Sequence, residues 1–340
     1  METDTEERAA IRWDCEREAD DWKPIICPEA PARPGESPTR FVDGCHAGQA
    51  VTWLRNPSHG WRVAVLLAEV GGISMELEGR TLTRRFFGLE RVVSLVVDAF
   101  PWDEVESLAV GLSNIREFPV RLLPARRPGL AETNLFDPES MRAQAEARAL
   151  QEMSVWESVA LNADLKAPTL LDGPLSSRDI NDPQGREGLL LAVIKTHNRN
   201  YLHDEGWRTL LDLAAAQRTP FFRIDPPARR KGAGVSVASW YLKLSGTLGL
   251  EAPNAGIVRI EVPWDQFAGR WATRGEQTGF ANRISRWLID ARCRQQSYSR
   301  MPVSLEPIVR AEESLKSLFT PFGVLRNRFL RHAGILGSSS

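Results

Sequence analysis

Two apolar runs of this chain end in the same way, at an aspartate followed by a glycine. The first ends at Asp43-Gly44, and the second, residues 168–171, ends at Asp172-Gly173. Runs of this kind indicate buried strands, and a glycine lets the backbone turn sharply after each. If the two strands are neighbours in one sheet, their carboxylates lie side by side. Like charges so close need a cation between them to stay ionised, so the pattern predicts a divalent-cation site.

A third carboxylate is expected from a long helix between these strands. Residues 139–161 contain no glycine or proline and are long enough for about six helical turns. On a helical wheel, Glu152 and Glu157 flank the apolar face at similar angles, so periodicity does not choose between them. The alternative for either glutamate is an ordinary solvated acid. The apolar face is defined by Leu150, Met153, Trp156 and Ala160.

The order of a strand with Asp, a hairpin, a helix with Glu and a second strand with Asp resembles the ribonuclease H-like nucleases. At the residue level the chain resembles the NurA family of DNA nucleases, whose apolar strands also end in Asp-Gly. The resemblance runs from about residue 40 to 316. It implies an α/β fold, namely a ribonuclease H-like core with a mixed central sheet flanked by helices. The matching segments are 41–44, 170–175, 191–196, 256–263 and 307–312.

The resemblance also implies a set of catalytic residues. Asp43, Glu152 and Asp172 would bind Mn²⁺ or Mg²⁺, and Lys195 would contact the scissile phosphate or organise the carboxylates. The usual spacing in the family between the helix glutamate and the second aspartate favours Glu152 over Glu157. The expected enzyme is therefore a metal-dependent nuclease, a phosphodiester hydrolase.

Two positions depart from the family pattern. The family ends its last element in a histidine, with a tyrosine shortly before it, whereas this chain has Glu312 and Ser304 there. Glutamate is an acceptable oxygen ligand for Mg²⁺ or Mn²⁺, so Glu312 is a candidate fourth ligand. Proton transfer near neutral pH would suffer more, because unperturbed imidazole titrates in that range and a carboxylate does not.

No linker in the composition cuts the chain cleanly, so we expect one domain with appended segments at its two ends. Residues 1–38 are expected to form an N-terminal arm, 39–316 the nuclease domain, and 317–340 a C-terminal helix and disordered tail. Strands are expected over 61–70 and 73–78, joined by a tight turn at Gly71-Gly72. Residues 81–118 are expected to be helical.

The charge pattern gives only weak evidence on whether the chain binds nucleic acid. The net charge is −1, so no global basic field attracts DNA. The most basic local cluster is Arg229, Arg230 and Lys231, flanked by glycine and proline. This cluster is a candidate contact to a DNA backbone, with a merely solvated loop as an equal alternative.

Several other classes of protein are not expected. The four cysteines have no CxxC spacing, which argues against a zinc site and a disulfide framework. The acidic N terminus lacks the features of a secretory signal, and no apolar run approaches the ~20 residues of a membrane span. A cytoplasmic location is therefore expected. Walker A and GxGxxG motifs are missing, which argues against nucleotide hydrolysis by this chain.

These observations lead to one functional hypothesis and two rivals. The resemblance implies a homodimeric DNA nuclease that docks on a HerA-type hexameric ATPase, in DNA-end processing or phage defence. Segments 81–100 and 312–331 are candidate docking surfaces, with core packing as the alternative. The first rival is a non-catalytic, ribonuclease H-like subunit that binds DNA or regulates the ATPase. The second is an RNA-directed hydrolase on the same fold.

Overall fold

The computed structural model is an α/β protein, and its helices and strands fall into two compact units. Unit 1 comprises Met1–Asp43, Ser74–Phe86 and Leu161–Ala311, and unit 2 comprises Gly44–Ile73, Phe87–Ala160 and Glu312–Ser340. The residues that the structure describes are 9–56, 60, 62–98, 100–115, 117–125, 137–181, 185–197, 199–226, 234–246, 255–294 and 303–332.

Strands and helices are numbered in chain order. The strands are β1 (Ala10–Arg12), β2 (Ile25–Ile26), β3 (Arg40–Arg55), β4 (Arg62–Glu78), β5 (Thr81–Val96), β6 (Arg121–Ala125), β7 (Thr169–Asp172), β8 (Leu190–Ile194), β9 (Gln217–Arg218), β10 (Phe222–Asp225), β11 (Val237–Lys243) and β12 (Ile257–Pro263). The helices are α1 (Trp102–Ser113), α2 (Pro138–Asn162), α3 (Asp204–Leu211), α4 (Trp264–Arg270), α5 (Arg274–Asp290), α6 (Glu306–Lys316) and α7 (Phe322–His332).

The strands of unit 1 form a mixed sheet in the order β1-β10-β11-β12-β8-β7-β3. Strand β7 is parallel to both β3 and β8, whereas β8 and β12 are antiparallel. Across these four strands, Val42 lies opposite Leu171, Leu171 opposite Ala192, and Ala192 opposite Glu261. Strand β8 is wholly apolar and buried, as expected of a strand covered on both faces, and β7 buries Leu170 and Leu171 before it ends at Asp172.

Helix α5 packs its apolar face on the core of unit 1. Its start is set by a capping box, in which the Thr273 side chain accepts from the Glu276 N–H and the Glu276 carboxylate accepts from the Thr273 N–H. Trp240 of β11 is fully buried and donates from its indole nitrogen to Ser285 Oγ at 2.9 Å. The core cluster also includes Phe41, Leu170, Leu191, Ile260, Phe280, Ile284 and Leu288.

In unit 2 the strands follow the order β3-β4-β5-β6, with β5 and β6 parallel. Helix α2 packs on them through Met141, Ala145 and Ala149, all of which are buried. Helix α7 contributes Leu325 and Phe329 to the main apolar cluster of this unit. Core packing, the alternative proposed for segment 312–331, therefore accounts for Leu325 and Phe329 of α7, whereas Val324 is 44% exposed.

The turn expected at Gly71-Gly72 is wrong, because β4 runs without interruption through both glycines. A Cβ atom at Gly71 would lie 2.4 Å from the carbonyl oxygen of Gly88, and one at Gly72 would lie 2.5 Å from that of Trp156. Only glycine permits backbones to approach so closely. The pair therefore serves packing between β4, β5 and α2.

The helices expected over 81–118 are also largely wrong. Residues 81–96 form strand β5, and of the described residues in that range only those of α1 are helical. The residues Val92, Val93, Leu95, Val96 and Val97 are all buried. A nearly continuous buried run lacks the alternation of a half-exposed strand, and its apolar positions can mimic a helical stripe.

Helix α2 is confirmed, and three of the four residues of its expected apolar face lie inside: Ala160 is fully buried, and Met153 and Trp156 pack against a buried cluster of unit 2. Leu150, assigned to the apolar face from the helical wheel, is 41% exposed, whereas Ala145 and Ala149 are fully buried. The helix packs closely through small residues, so its contact face is marked by alanine rather than by leucine.

The N-terminal residues are part of the sheet of unit 1. Strand β1 pairs with β10, and β2 pairs with β9. Glu16 forms a buried ion pair with Arg218, with both oxygens accepting from the guanidinium at 2.7 Å. Residues 9–38, expected to form an arm, are thereby tied to unit 1 by main-chain and side-chain contacts.

Candidate catalytic carboxylate site

Asp43 and Asp172 occupy matching positions on two adjacent parallel strands. The register of β3 and β7 pairs Phe41 with Leu170 and Val42 with Leu171. The next residue of each strand is the aspartate, so Asp43 and Asp172 lie opposite each other. Neighbouring strands lie about 4.8 Å apart. Both aspartates share a face with Phe41 and Leu170, because side chains two residues apart point to the same side. The strands are thus neighbours, as the sequence required for a shared site.

Burial makes this juxtaposition chemically significant. Asp43 is 5% exposed and the Asp172 side chain is 19% exposed. Water therefore screens the mutual repulsion of the two carboxylates only in part, so a positive charge placed beside them offsets it.

Lys195 supplies a positive charge at this place. It follows β8, two residues beyond Val193, which pairs with Asp172. Its Nζ lies 2.7 Å from Asp172 Oδ2, and its side chain is 8% exposed. The structure therefore brings together Asp43, Asp172 and Lys195, three of the four residues expected to be catalytic.

The chain after Asp172 turns sharply at Gly173, as the sequence predicts. Gly173 has a φ of +105° and donates its N–H to the Val193 carbonyl at 2.9 Å. A Cβ atom here would lie 2.9 Å from Nη2 of Arg178, so the guanidinium covers the turn. The glycine therefore provides both the left-handed backbone and the space for this arginine.

Glu261 anchors the next part of the same loop and was missed from the sequence. Its Oε2 accepts a hydrogen bond from the Leu175 N–H at 2.9 Å, and its Oε1 lies 2.7 Å from Arg259 Nη1. Glu261 is 3% exposed and projects from the face of the sheet opposite Asp172. The sequence did contain a signal for it, because Arg259 and Glu261 are the charged residues of the otherwise apolar strand β12.

The donor set at the aspartates suits a divalent cation that takes its other ligands from elsewhere. Mg²⁺ is commonly held by one or two carboxylates together with phosphate oxygens and waters. Asp43 and Asp172 provide two such carboxylates. Among the described residues, no group of three or more His, Cys, Asp or Glu side chains is placed to hold a metal ion.

Glu152, the favoured helix glutamate, has a different environment in unit 2. Its carboxylate forms ion pairs with Arg121 and with Arg148, the latter at 3.2 Å. Arg121 also binds Glu90 at 2.6 Å, so the three elements β5, β6 and α2 share one charge cluster. This arrangement explains the burial of Glu152 without any role in catalysis.

Glu157 lies against the backbone of β3. A Cβ atom at Gly44 would fall 2.5 Å from Glu157 Cγ, and Glu157 is only 2% exposed. Gly44 directly follows Asp43 in the chain. Glu157 is therefore the helix glutamate that packs on Gly44, whereas the preference for Glu152 as a metal ligand stays a prediction.

The other residues expected at the site lie in separate surroundings. The Glu312 carboxylate pairs with Lys316 one turn along α6, and its carbonyl oxygen lies 3.8 Å from the Cys45 thiol. Ser304 is fully buried, and its carbonyl accepts from the Cys293 N–H. The basic cluster Arg229, Arg230 and Lys231 lies outside the described residues.

Comparisons with known proteins identify a structural similarity. No protein-family model matches the chain, and no curated protein matches it. Among solved structures, the chain aligns with the NurA nuclease from Sulfolobus solfataricus at a TM-score of 0.44 and 12% sequence identity, covering 93% of this chain and 86% of that chain. Within the described part of the chain, no helix combines the length and apolar character needed to cross a membrane.

Proposed function

We propose that this chain is a phosphodiester-cleaving enzyme, a metal-dependent DNA nuclease with its reaction centre at Asp43, Asp172 and Lys195. The supporting observation is the level placement of two carboxylates on adjacent strands, one buried and one partly buried, with a lysine ammonium 2.7 Å from the second. Carboxylate pairs of this kind suit phosphoryl chemistry because they hold cations that neutralise phosphate charge.

Each residue has a defined part in this proposal. Asp43 and Asp172 would hold Mn²⁺ or Mg²⁺, which when bound lowers the pKa of a coordinated water and neutralises charge on the phosphate. Lys195 fixes the orientation of the Asp172 carboxylate through its ion pair. Its remaining N–H groups are available to a phosphate oxygen, since an ammonium carries three donors. The hydrogen bond from the Leu175 N–H to Glu261 anchors the loop that follows Asp172 and Gly173.

The proposal extends to substrate and partners through the sequence resemblance. DNA is the proposed substrate, and a HerA-type hexameric ATPase with a homodimer of this chain is the proposed assembly. DNA-end processing and phage defence are the two roles that such an assembly would serve. Glu312 is retained in this proposal only as an accessory oxygen ligand, because in the structure its carboxylate pairs with Lys316.

A second candidate function is a non-catalytic, DNA-binding subunit of the same ATPase complex. The observation that favours it is the small size of the ligand set, since the described residues offer no group of three or more metal-binding side chains. In such a subunit the Asp172–Lys195 pair would be a structural ion pair.

A cleavage assay separates these functions. Linear duplex DNA, single-stranded DNA and RNA are incubated with the purified chain, with Mn²⁺ and with EDTA. We expect Mn²⁺-dependent DNA cleavage that Asp43→Asn and Asp172→Asn each reduce at least about 100-fold, the scale of losing a main electrostatic contribution. The matched control is Asp103→Asn, an exposed aspartate on α1.

The outcomes are distinct. Equal cleavage by the wild type and either site variant would exclude this reaction centre. DNA binding without cleavage, also in the presence of the ATPase, would favour the non-catalytic subunit. Cleavage confined to RNA would favour the RNA-directed hydrolase.

A further inference from the structure

Unit 1 contains a second charged feature, a cleft of about 630 Å³ where α5 ends and α6 begins. None of the residues assigned to the reaction centre lines it. Its charged lining residues are Asp290, Arg292, Arg294, Glu306 and Arg310. We call this feature the arginine cleft.

The backbone of the arginine cleft is fixed by a short antiparallel contact. Arg292 forms a β-bridge with Leu305, the Cys293 N–H donates to the Ser304 carbonyl at 2.8 Å, and the Glu306 N–H donates to the Ala291 carbonyl at 2.8 Å. Because these bonds hold both chain segments together, the arginines project from a built scaffold. The buried Ser304 thus has a structural part in forming the cleft.

The charges of the cleft do not cancel. Asp290 is bound by Arg286 at 3.0 Å, and Glu306 is bound by Arg310 at 2.8 Å. Arg292 donates to the Ile289 carbonyl at 2.9 Å. Within the described ranges of the chain, neither Arg292 nor Arg294 has an acidic partner. Two positive charges in the cleft are therefore left without a carboxylate, although the net charge of the whole chain is −1.

These features indicate an anionic ligand with phosphate groups. A guanidinium presents a planar fork of donors that matches two phosphate oxygens, and it stays charged at any physiological pH. The volume is that of a ligand site, and five of its seven lining residues carry a charge.

We propose that the arginine cleft binds backbone phosphates of a nucleic-acid strand, apart from the scissile phosphate. This inference rests on the proposed function, since the nuclease activity identifies the polyanion as a nucleic acid. The cleft would contribute sequence-independent, salt-sensitive affinity and would hold the substrate strand in place.

The test is a binding measurement without cleavage. Fluorescence anisotropy of a labelled single-stranded and a duplex oligonucleotide is followed in EDTA over a series of salt concentrations. The full chain is compared with Arg292→Gln/Arg294→Gln. The control Arg326→Gln/Arg328→Gln makes the same charge change on α7. Thermal unfolding checks the fold of each variant, and Arg294→Gln alone serves if the double variant does not fold.

We expect the cleft variant to bind about tenfold more weakly and the control to bind like the wild type. Losing two phosphate contacts should reduce the slope of log affinity against log salt by about 1.4 for the single strand and about 1.8 for the duplex. Restoring charge with Arg292→Lys/Arg294→Lys should recover most of the slope.

Two results would overturn the inference. One is an unchanged slope in the cleft variant or an equal loss in the control. The other is calorimetric binding of inorganic pyrophosphate at the cleft with no oligonucleotide bound there. If the wild type binds and cuts DNA while the cleft variant binds normally, only this inference fails. If the wild type neither binds nor cuts nucleic acid, the proposed function fails and the inference falls with it.

Discussion

Lys195 holds its ammonium nitrogen 2.7 Å from Oδ2 of Asp172, and both side chains are largely shielded from water. The lysine thus provides a positive charge at the carboxylate pair of Asp43 and Asp172. A divalent cation that binds there must compete with this lysine for Asp172, because both are stabilised by the same carboxylate.

Removing the lysine charge is therefore expected to strengthen metal binding. For Lys195→Met we expect an affinity for Mn²⁺ about tenfold higher, equivalent to about 1.4 kcal/mol, together with slower DNA cleavage. Isothermal titration calorimetry and single-turnover cleavage measure the two effects. The control Lys23→Met removes a lysine from an exposed pair with Asp21 and should change neither. Weaker Mn²⁺ binding by Lys195→Met would show that the lysine supports the metal site rather than competing with it.

Substituting Glu157 should lower cleavage more than substituting Glu152 does. This order is the opposite of the one that the sequence favours. Glu157→Ala should lower cleavage, because Glu157 packs on Gly44 and thereby supports the backbone that follows Asp43. Glu152→Ala should retain cleavage within about twofold and cost up to about 1 kcal/mol, since its partner Arg121 is 46% exposed. Cleavage rates and urea unfolding measure these effects. A severe loss of cleavage in Glu152→Ala alone would restore the assignment favoured by the sequence.

The Glu157–Gly44 contact leaves no room for another atom. In Gly44→Ala the new Cβ would lie 2.5 Å from Glu157 Cγ, so we expect a loss of stability of about 1–3 kcal/mol from overpacking. Gly111→Ala is the matched control on α1, where a Cβ meets nothing within 4 Å. That substitution should be neutral or stabilise unit 2 by up to about 1 kcal/mol, because alanine favours the helix. Equal effects in denaturant unfolding would contradict the crowding at Gly44.

The Glu16–Arg218 pair should make stability depend on pH. Burial alone raises the pKa of Glu16, but hydrogen bonds from Arg218 and from the Phe221 N–H outweigh it, and the pKa is held below its ordinary value of 4.5. The folded state therefore binds a proton less readily than the unfolded chain. The contribution of this pair to the free energy of unfolding is therefore fully present above about pH 4.5. It is lost as the pH falls through the lowered pKa of Glu16.

Glu16→Gln provides the corresponding measurement. Near pH 7 this variant should be less stable than the wild type by about 3–5 kcal/mol, since it leaves Arg218 buried without its counter-charge. The difference should shrink as the pH falls from 4.5 through the lowered pKa of Glu16, because the unfolded chain takes up a proton first and the folded carboxylate then also loses its charge. Denaturant unfolding at several pH values tests this, and a difference that stays constant with pH would contradict the buried ion pair.

Much of unit 1 could be predicted from the sequence because short-range signals determined it. The strands ending at Asp172 and Ile194 are apolar runs with clear boundaries, and the pair Asp172-Gly173 identified the end of its strand. The end expected at Asp43-Gly44 is wrong, because β3 continues through both residues to Arg55. The side-by-side placement of the aspartates followed from one assumption, that their strands are neighbours, and the register confirms that assumption.

Other features depended on contacts that local patterns do not contain. A glycine pair is equally suited to a turn and to close packing, and only the position of Trp156 decides the case of Gly72. Glu152 and Glu157 lie at similar angles from the expected apolar face, so their roles depend on which residues approach the helix. The hydrogen bond from the Leu175 N–H to Glu261 joins residues 86 positions apart and leaves no local trace.

The division of each unit among three chain segments has a consequence for synthesis. Unit 2 needs residues from 44 onward and also those from 312 onward, where Leu325 and Phe329 complete its apolar cluster. A chain growing on the ribosome therefore displays an unfinished apolar surface until residues 312–332 emerge. Such surfaces recruit chaperones and promote aggregation. The late arrival of this segment, rather than folding of the early strands, should then limit the yield of native protein.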